Sequence, residues 1–582
     1  MADESVAGAS QKTHDKRKTT PKNTPIAHDA TDVSAAGAQF FAQKADLLDI
    51  VSSDGASILD RWRNSAGHQF RDLKRAPKLT AGDAVAGISV AMVVIPQSLA
   101  YADLAGLPPL LGLFASAFPL LIFAVLASSP YLQTGPVALT SLLTAGALAG
   151  AGLEPRTEDY VAAAALLAIV VGAIRLIVGL GRLGSIVYLM AEPVTIGFTS
   201  GAGIVILGSQ LPKALGVSLP DNVSEWSNPI ARAGWAVLNP TSWGVSAIVI
   251  SIVTLTLMLK GKKLHRLFPG VLVAVVIALL YSRIFSYDGQ VIPEVEAGLP
   301  PFSLDFPWSG LGSLIVGGVI IALVGFAEPA SIARHFANED QTKWSSSREF
   351  VASGLANTVA AVTGAYPVGG SFSRSSVNRF AGAETRWSGA VTGIVVVAFL
   401  PFAFLLDGLP EAVLGAIVVG AVVNLVKPRR LIGLWKRDRW QAGLAYATFL
   451  ATLVTPPDIH YAVLGGVVLT MILHVVRPFS IKANQTAEGG LELQANGLLW
   501  IATVSKLQDQ LAAAIENDSG SGPISLSLGR SPAIDSSIAQ AIAAGSEAAE
   551  RAGRSFFVLD PPDGGAPILE NFDIPLGEPQ PA

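Results

Sequence analysis

Pro367-Val368-Gly369-Gly370-Ser371-Phe372-Ser373-Arg374 interrupts a long apolar region, and this stretch decides the fold. The two glycines permit close backbone approach, the serines add hydroxyl donors, and Arg374 adds a cation. A short helix, expected over 371–382, follows it. Upstream, Thr134-Gly135-Pro136-Val137-Ala138 precedes another short apolar segment, at 136–150. Pro136-Val137 and Pro367-Val368 lie 231 residues apart (367 − 136). A second pair of landmarks, Pro96-Gln97-Ser98-Leu99-Ala100 and Pro329-Ala330-Ser331-Ile332-Ala333, lies 233 apart (329 − 96). Two landmarks at nearly constant spacing, with matching short segments behind them, imply an internal repeat.

Outward from these landmarks the chain is one apolar segment after another. Spans are expected near 82–101, 106–127, 136–150, 159–180, 185–209, 243–260 and 266–283, then 313–334, 348–364, 371–382, 387–406, 411–426, 440–455 and 459–476. A helix needs roughly 20 residues to cross the hydrocarbon core, so the third and tenth are too short to span alone. Seven spans per repeat would force the second copy to insert upside down. Paired short, Gly/Pro-interrupted segments in an inverted repeat point to a transporter's binding site.

Basic loops set the orientation. Lys260–Arg266 and Lys427–Arg439 follow even-numbered spans, whereas the acidic loop 284–312 follows an odd one. Both termini are then cytoplasmic. Residues 1–80 are polar and hold no long apolar run, so a partly disordered cytoplasmic arm without a cleavable leader is expected.

Composition agrees with a bilayer as solvent. The chain is 51% hydrophobic and only 14% charged, with mean hydropathy +0.49; a soluble domain carries about 25% charge. Net charge is −4, which gives no basic surface for nucleic acid. Cys is absent, excluding disulfides and thiolate metal sites. No His pair and no Gly-x-Ser-x-Gly suggests an enzyme, and nothing calls for a cofactor or a metal.

A half-helix starting at mid-membrane leaves its first N–H groups without intrahelical acceptors, and its dipole adds roughly half a positive charge there. Two such ends facing each other suit an anion. Arg374 in this context needs a function or a partner, or else snorkels to the cytoplasmic face. Glu328, directly before Pro329, is a second intramembrane ion, whose neutralisation by a proton or Na⁺ would couple transport; the alternative is a structural ion pair. Gln97 and Tyr101 lie four residues apart on one face of span 1, where they would line the site or cap a packed interface. Asp103, Glu192, Asp407, Glu411 and His474 lie near span ends, where interfacial roles are expected.

At these residues the chain resembles the sulfate-permease (SulP) family of anion transporters. The resemblance rests on Ile95–Phe114, Thr134-Gly-Pro-Val-Ala138, Glu192–Gly201 and Gly370-Ser-Phe-Ser-Arg-Ser-Ser-Val-Asn378. It implies an all-α polytopic fold with fourteen spans as a 7+7 inverted repeat. Spans 1–4 and 8–11 would form a core domain, and 5–7 and 12–14 a gate domain. It also implies elevator-like transport in a homodimer. The implied substrate-binding residues are Gln97, Tyr101, Val137, Ala138, Ser371, Phe372 and Ser373, with Arg374 close behind. The Ser-Phe-Ser-Arg motif resembles the sulfate-type branch more than the bicarbonate-type one. Bicarbonate, a dicarboxylate, or a passive anion channel of the same fold remain alternatives. Tyr131 stands where the family often has a small or basic residue.

Residues 478–582 change character. Leu491–Gln494, Leu498–Val504, Pro523–Leu528 and Ser555–Leu559 read as strands, and Lys506–Glu516 and Ser536–Arg551 as helices. This small cytoplasmic α/β unit resembles the domain shared by sulfate transporters and anti-sigma-factor antagonists (STAS), through Ile524–Ser537 and Phe556–Leu559. Ile538-Ala539 stands where a Gly usually follows the Asp-Ser-Ser turn, and the end is shortened to a Pro/Gly tail. Helix capping, rather than phosphorylation, is therefore expected of Ser536 and Ser537.

Overall fold

The computed structural model describes residues 77–577, apart from 184–191, 225–227, 264, 266, 286, 295–297, 341, 343, 438, 477–479, 487, 488, 497–503, 519, 529–535 and 562–564. The N-terminal arm expected over 1–80 therefore falls almost wholly outside the described residues, as does most of the stretch Leu498–Val504.

A helix occupies each of the fourteen apolar segments. They are α1 (Ala81–Leu104), α2 (Leu110–Leu126), α3 (Ala138–Gly150), α4 (Glu158–Leu180), α5 (Glu192–Ala214), α6 (Val245–Lys260) and α7 (Gly270–Phe285), then α8 (Leu311–Glu339), α9 (Ser346–Val362), α10 (Phe372–Phe380), α11 (Trp387–Phe399), α12 (Glu411–Val422), α13 (Arg439–Val454) and α14 (Ile459–Val476). Five of them (α1, α4, α5, α8, and α11 with its 3-10 extension to Leu406) are long and apolar enough to cross a bilayer. Two longer helices outside the fourteen, Pro229–Leu238 and Pro428–Arg437, stand between α5 and α6 and between α12 and α13, the first preceded by the single turn Asp221–Ser224. They are amphipathic and short, so they leave no apolar run to read; the second carries Arg429 and Arg430 of the basic loop.

The start of α1 shows how local sequence fixes an end. Thr80 and Asp83 form a reciprocal capping box, with both bonds at 3.1 Å. The buried Asp83 carboxylate also accepts from Glu384 N, Thr385 N and Thr385 Oγ1, tying α1 to the turn before α11.

Helix contacts fall into two groups. In one, α9 packs on α4 and α2, α11 on α2 and α1, α8 on α4 and α3, and α10 on α1. In the other, α13 and α12 pack on α5, α6 on α12 and α7, and α14 on α13. The groups meet where α1 touches α12 and α7, α3 touches α5 and α14, and α8 touches α14. Small residues let backbones approach within the first group: a methyl on Gly172 of α4 would lie 2.8 Å from Thr358 Oγ1 of α9. Val245, Val249, Ile252 and Leu259 of α6 and Ile284 and Phe285 of α7 are exposed, forming an apolar exterior.

The C-terminal unit has its own core, including Leu493, Leu507, Leu511, Leu526, Ile542 and Val558. Its sheet runs β3 (Ser480–Gln485), β4 (Leu491–Asn496), β5 (Ile524–Ser527), β6 (Phe556–Leu559), with β3–β4 antiparallel and the other pairs parallel. Helices α15 (Val504–Glu516) and α16 (Ser536–Arg551) pack on each other. Strand β3 is polar and exposed on nearly every residue, which is why no alternating pattern announces it. The Pro/Gly tail holds a short helix, Ala566–Glu570, and a bridge from Leu576 to Val558. The Arg554–Asp518 ion pair at 2.7 Å joins the strand end to the turn after α15; this hydrogen bond from Arg554 holds the Asp518 carboxyl below its ordinary value. Ser536 and Ser537 begin α16, and the turn that would test their capping lies outside the described residues.

Candidate anion site

The two interrupted motifs meet in a minimal antiparallel ribbon. Strand β1 (Thr134–Gly135) pairs with β2 (Gly369–Gly370) in the register Thr134↔Gly370 and Gly135↔Gly369. Ser371 N donates to Gln133 O at 3.0 Å, and Thr134 Oγ1 to Gly369 O at 3.2 Å. Glycine is required twice. Gly135 has φ +142°, outside the range of L side chains, and a methyl on Gly370 would come within 3.0 Å of both Leu132 and Pro329. The ribbon therefore sets α3 and α10 starting beside each other.

The two helix starts differ. Val137, the N-cap of α3, offers no side-chain acceptor, so the first N–H groups of α3 keep their capacity for a ligand. Ser371 caps α10, accepting from Arg374 N at 3.5 Å, and its hydroxyl lies 3.2 Å from that of Ser373.

Arg374 is 1% exposed, and Nε, Nη1 and Nη2 all lack a hydrogen-bond partner among the described residues. Its Nη1 would stand 3.4 Å from a methyl on Gly135. The side chain thus turns back across the ribbon to the first half-helix instead of snorkelling out. Tyr101, Tyr366 and Glu328 are the titratable groups near enough to act on its charge. Gln97 Oε1 of α1, Ser141 Oγ and Thr144 Oγ1 of α3, and Tyr366 Oη are also buried without a hydrogen-bond partner among the described residues. Buried polar atoms are nearly always paired, so these orphans on α1, α3 and the approach to α10 make this the candidate place for a polar guest.

Gln97 and Tyr101 are buried on α1, and Val137, Ala138 and Ser371 line the ribbon's edge as buried residues. Ser373 is exposed, and the Phe372 ring, 51% exposed, stacks on Phe336 of α8 at 6.4 Å. The backbone N–H of Phe372, not its ring, is the part near enough to act on the Glu328 carboxylate. Glu328 therefore sits over the α10 N-terminus, closer to the half-helix than its place one span away suggests.

Arg175, Asn357 and Tyr366 escape the motif reading. Arg175 of α4 is fully buried and donates to Ala322 O, Ile321 O, Val368 O and Ser353 Oγ. A lone arginine inside an apolar span was the signal for it. Asn357 clamps Val368, accepting its N–H at 2.9 Å and donating to its carbonyl at 3.2 Å. Tyr366 precedes the motif and is fully buried, near enough to Arg374 to act on its charge. Tyr131 lies edge-on to Phe336 at 5.6 Å and under the Arg379 guanidinium at 5.3 Å; Arg379 is in turn paired with Asp340 at 2.6 Å and with Glu339. Away from the site, Asp103 binds Arg156 at 2.8 Å and Lys213 at 2.5 Å, and Lys213 also reaches Glu411 at 3.4 Å.

Two helix N-termini and a buried arginine without a hydrogen-bond partner among the described residues, inside an apolar helical bundle, make this the candidate anion site of a polytopic membrane protein. Residues 80–448 match the sulfate permease family, and the chain belongs to that family, one of transporters rather than enzymes. Among similar proteins, sulfate transporter 4.1 of Arabidopsis thaliana, a chloroplastic protein, is 33% identical over 67% of this chain, which spans 58% of that protein's length. A probable sulfate transporter of Mycobacterium tuberculosis is 33% identical over 69% of this chain and 71% of its own. The murine solute carrier 26 family member A9 anion transporter, in its inward-facing state, superposes with a TM-score of 0.71 at 20% identity, over 90% of this chain and 94% of that one. The transmembrane domain of a cyanobacterial bicarbonate transporter gives 0.56 at 23% identity, over 69% and 97%. These likenesses share the fold, and the C-terminal sheet with its helices is compatible with a STAS domain.

Proposed function

We propose that the protein is a secondary active transporter of an inorganic oxyanion, sulfate, coupled to proton or Na⁺ entry through Glu328. The observation that carries the reading is Arg374: a fully buried guanidinium without an acceptor among the described residues, set between two helix N-termini. Names of relatives at 33% identity support sulfate as the anion. Glu328, beside the same N-terminus, must be neutralised before a dianion and a carboxylate can share the site, which makes it the coupling group.

Residues 81–477 would form the transport domain, an inverted repeat working as a homodimer in the cell membrane. Residues 1–80 would be the cytoplasmic arm and 478–582 the STAS-like domain, with both termini inside. The eight-helix group (α1–α4, α8–α11) acts as the moving core and the six-helix group (α5–α7, α12–α14) as the gate. Exposure along α8 supports access from the cytoplasm: Ser331, His335 and Asn338 are exposed on the face that leads from half-buried Glu328. The far end is closed by close packing between the groups. A methyl on Gly146 of α3 would lie 2.6 Å from Pro457 O, and one on Gly150 2.7 Å from Asp458 Oδ1. The Asp103–Lys213 pair crosses there too.

Uptake of labelled sulfate, bicarbonate and fumarate into proteoliposomes, with and without an inward proton or Na⁺ gradient, tests this. Sulfate accumulation driven by one gradient is expected. Equilibration without accumulation would identify a passive channel, and accumulation of another anion alone would replace the substrate.

A further inference from the structure

We infer that Arg175 is a second cation of the anion site, a positioning and specificity-determining residue that favours divalent over monovalent anions. The inference rests on the anion-transport reading above and deepens it.

The guanidinium of Arg175 sits in mid-α4 at 0% exposure, and its acceptors are all neutral: Ala322 O and Ile321 O at 3.1 Å, Val368 O at 2.9 Å and Ser353 Oγ at 2.8 Å. No carboxylate among the described residues is near enough to act on its charge. A buried cation of this kind is costly without a counterion, and arginine keeps its proton at any relevant pH. Tying three carbonyls together explains the donors but not the charge.

Its position explains the charge. Ile321 and Ala322 lie within two turns of Glu328 on α8, and Val368 directly precedes the β2 ribbon that starts α10. One guanidinium therefore fixes the acid-bearing helix against the half-helix. It also lies just behind the site floor. A methyl on Gly325 would be 3.0 Å from both Arg175 Nη2 and Thr140 Cγ2, and one on Gly369 would be 3.2 Å from both Thr140 and Val137 side chains. Thr140 and Val137 belong to the start of α3. Lys427, half-buried, is near enough to act on Glu328; Arg175 and Arg374 give the site its two fully buried positive charges. With Glu328 protonated, a dianion balances them.

The field of a fixed charge acts twice as strongly on a dianion as on a monoanion. Removing it should therefore weaken sulfate binding by about the square of the factor lost by chloride: on the order of tenfold for chloride and a hundredfold for sulfate, for a charge roughly 10 Å away at an effective dielectric near 20. The test is anion titration of the purified full chain, read by intrinsic tryptophan fluorescence, with sulfate and chloride as probes. Arg175→Gln should lower the sulfate-to-chloride affinity ratio about tenfold, and Arg175→Lys should keep it while weakening both. Should Arg175→Gln not fold, Ser353→Asp neutralises the guanidinium in place and should lower the ratio likewise, whereas Ser353→Ala should not. A ratio unchanged within twofold in Arg175→Gln or Ser353→Asp overturns the role of Arg175. Binding of neither anion by the unaltered protein would instead overturn the underlying anion reading, and this inference with it.

Discussion

Replacing Arg374 by alanine separates a ligand-binding arginine from a structural one, because the two roles predict opposite effects on stability. The three guanidinium nitrogens bond no described protein group, so truncation removes no native hydrogen bond and relieves the fold of a desolvated cation. Without anion, the variant should unfold at the same temperature as the parent or higher. Binding should suffer. A unit charge about 4 Å from another interacts by about 4 kcal/mol at an effective dielectric near 20, more for a dianion, before desolvation is subtracted. Truncating one partner of a buried charge pair costs about 2–5 kcal/mol, so the dissociation constant should rise at least about 30-fold. At sulfate 100 times the parent's dissociation constant, the parent gains about 2.7 kcal/mol and the variant about 0.9 kcal/mol or less. Thermal unfolding of the detergent-solubilised protein with and without sulfate reads both quantities. A large loss of stability without sulfate, or an undiminished sulfate effect, would refute the reasoning.

Glu328→Gln fixes the carboxyl in its neutral form; gradient-driven accumulation should fall to equilibration while anion exchange persists, and undiminished accumulation under a pH gradient would remove Glu328 from coupling. Gly135→Ala forces an L side chain to φ +142° with its methyl 3.4 Å from Arg374 Nη1. Strain of about 1–3 kcal/mol is expected, seen as lower thermal stability together with weaker sulfate binding. Lys213→Gln breaks the pair with Asp103 that joins the two helix groups, while Asp103 keeps Arg156. The population open at the far end should rise, read as a second distance between spin labels on cysteines at Glu158 and Asn222; a single unchanged distance would count against the latch. Asp83→Ala strips four donors of their acceptor, and a stability loss of about 2–5 kcal/mol is expected; a variant as stable as the parent would show that the bonds between α1 and the α11 turn are dispensable.

The fourteen apolar segments, the two half-helices and the α/β unit at the end were legible in the chain, whereas the partners of its buried ions were not. Hydropathy announces a helix in lipid because each segment must satisfy its own backbone, segment by segment. Pro136 and Pro367 mark where that requirement fails, and so where a ribbon and two helix starts must lie. Glu328 and Arg374 stand out as charges in apolar surroundings. Arg175 carries the same signal, yet with no Pro or Gly motif beside it nothing draws attention to it. The amphipathic helices at 229–238 and 428–437 and strand β3 are too polar or too short to register in an apolar reading.

The sequence by itself determined that the chain is a bundle of membrane helices with two broken ones, and that the second break carries the charge. Those are local properties, set by side-chain transfer into lipid and by backbone chemistry at glycine and proline. Only the tertiary structure decided that Arg374 folds back beneath Gly135, that Glu328 lies beside the start of α10, and that Arg175 ties α8 to the residue before β2. These contacts join segments far apart in the chain, and a buried charge reveals that it needs partners without revealing which ones the fold supplies.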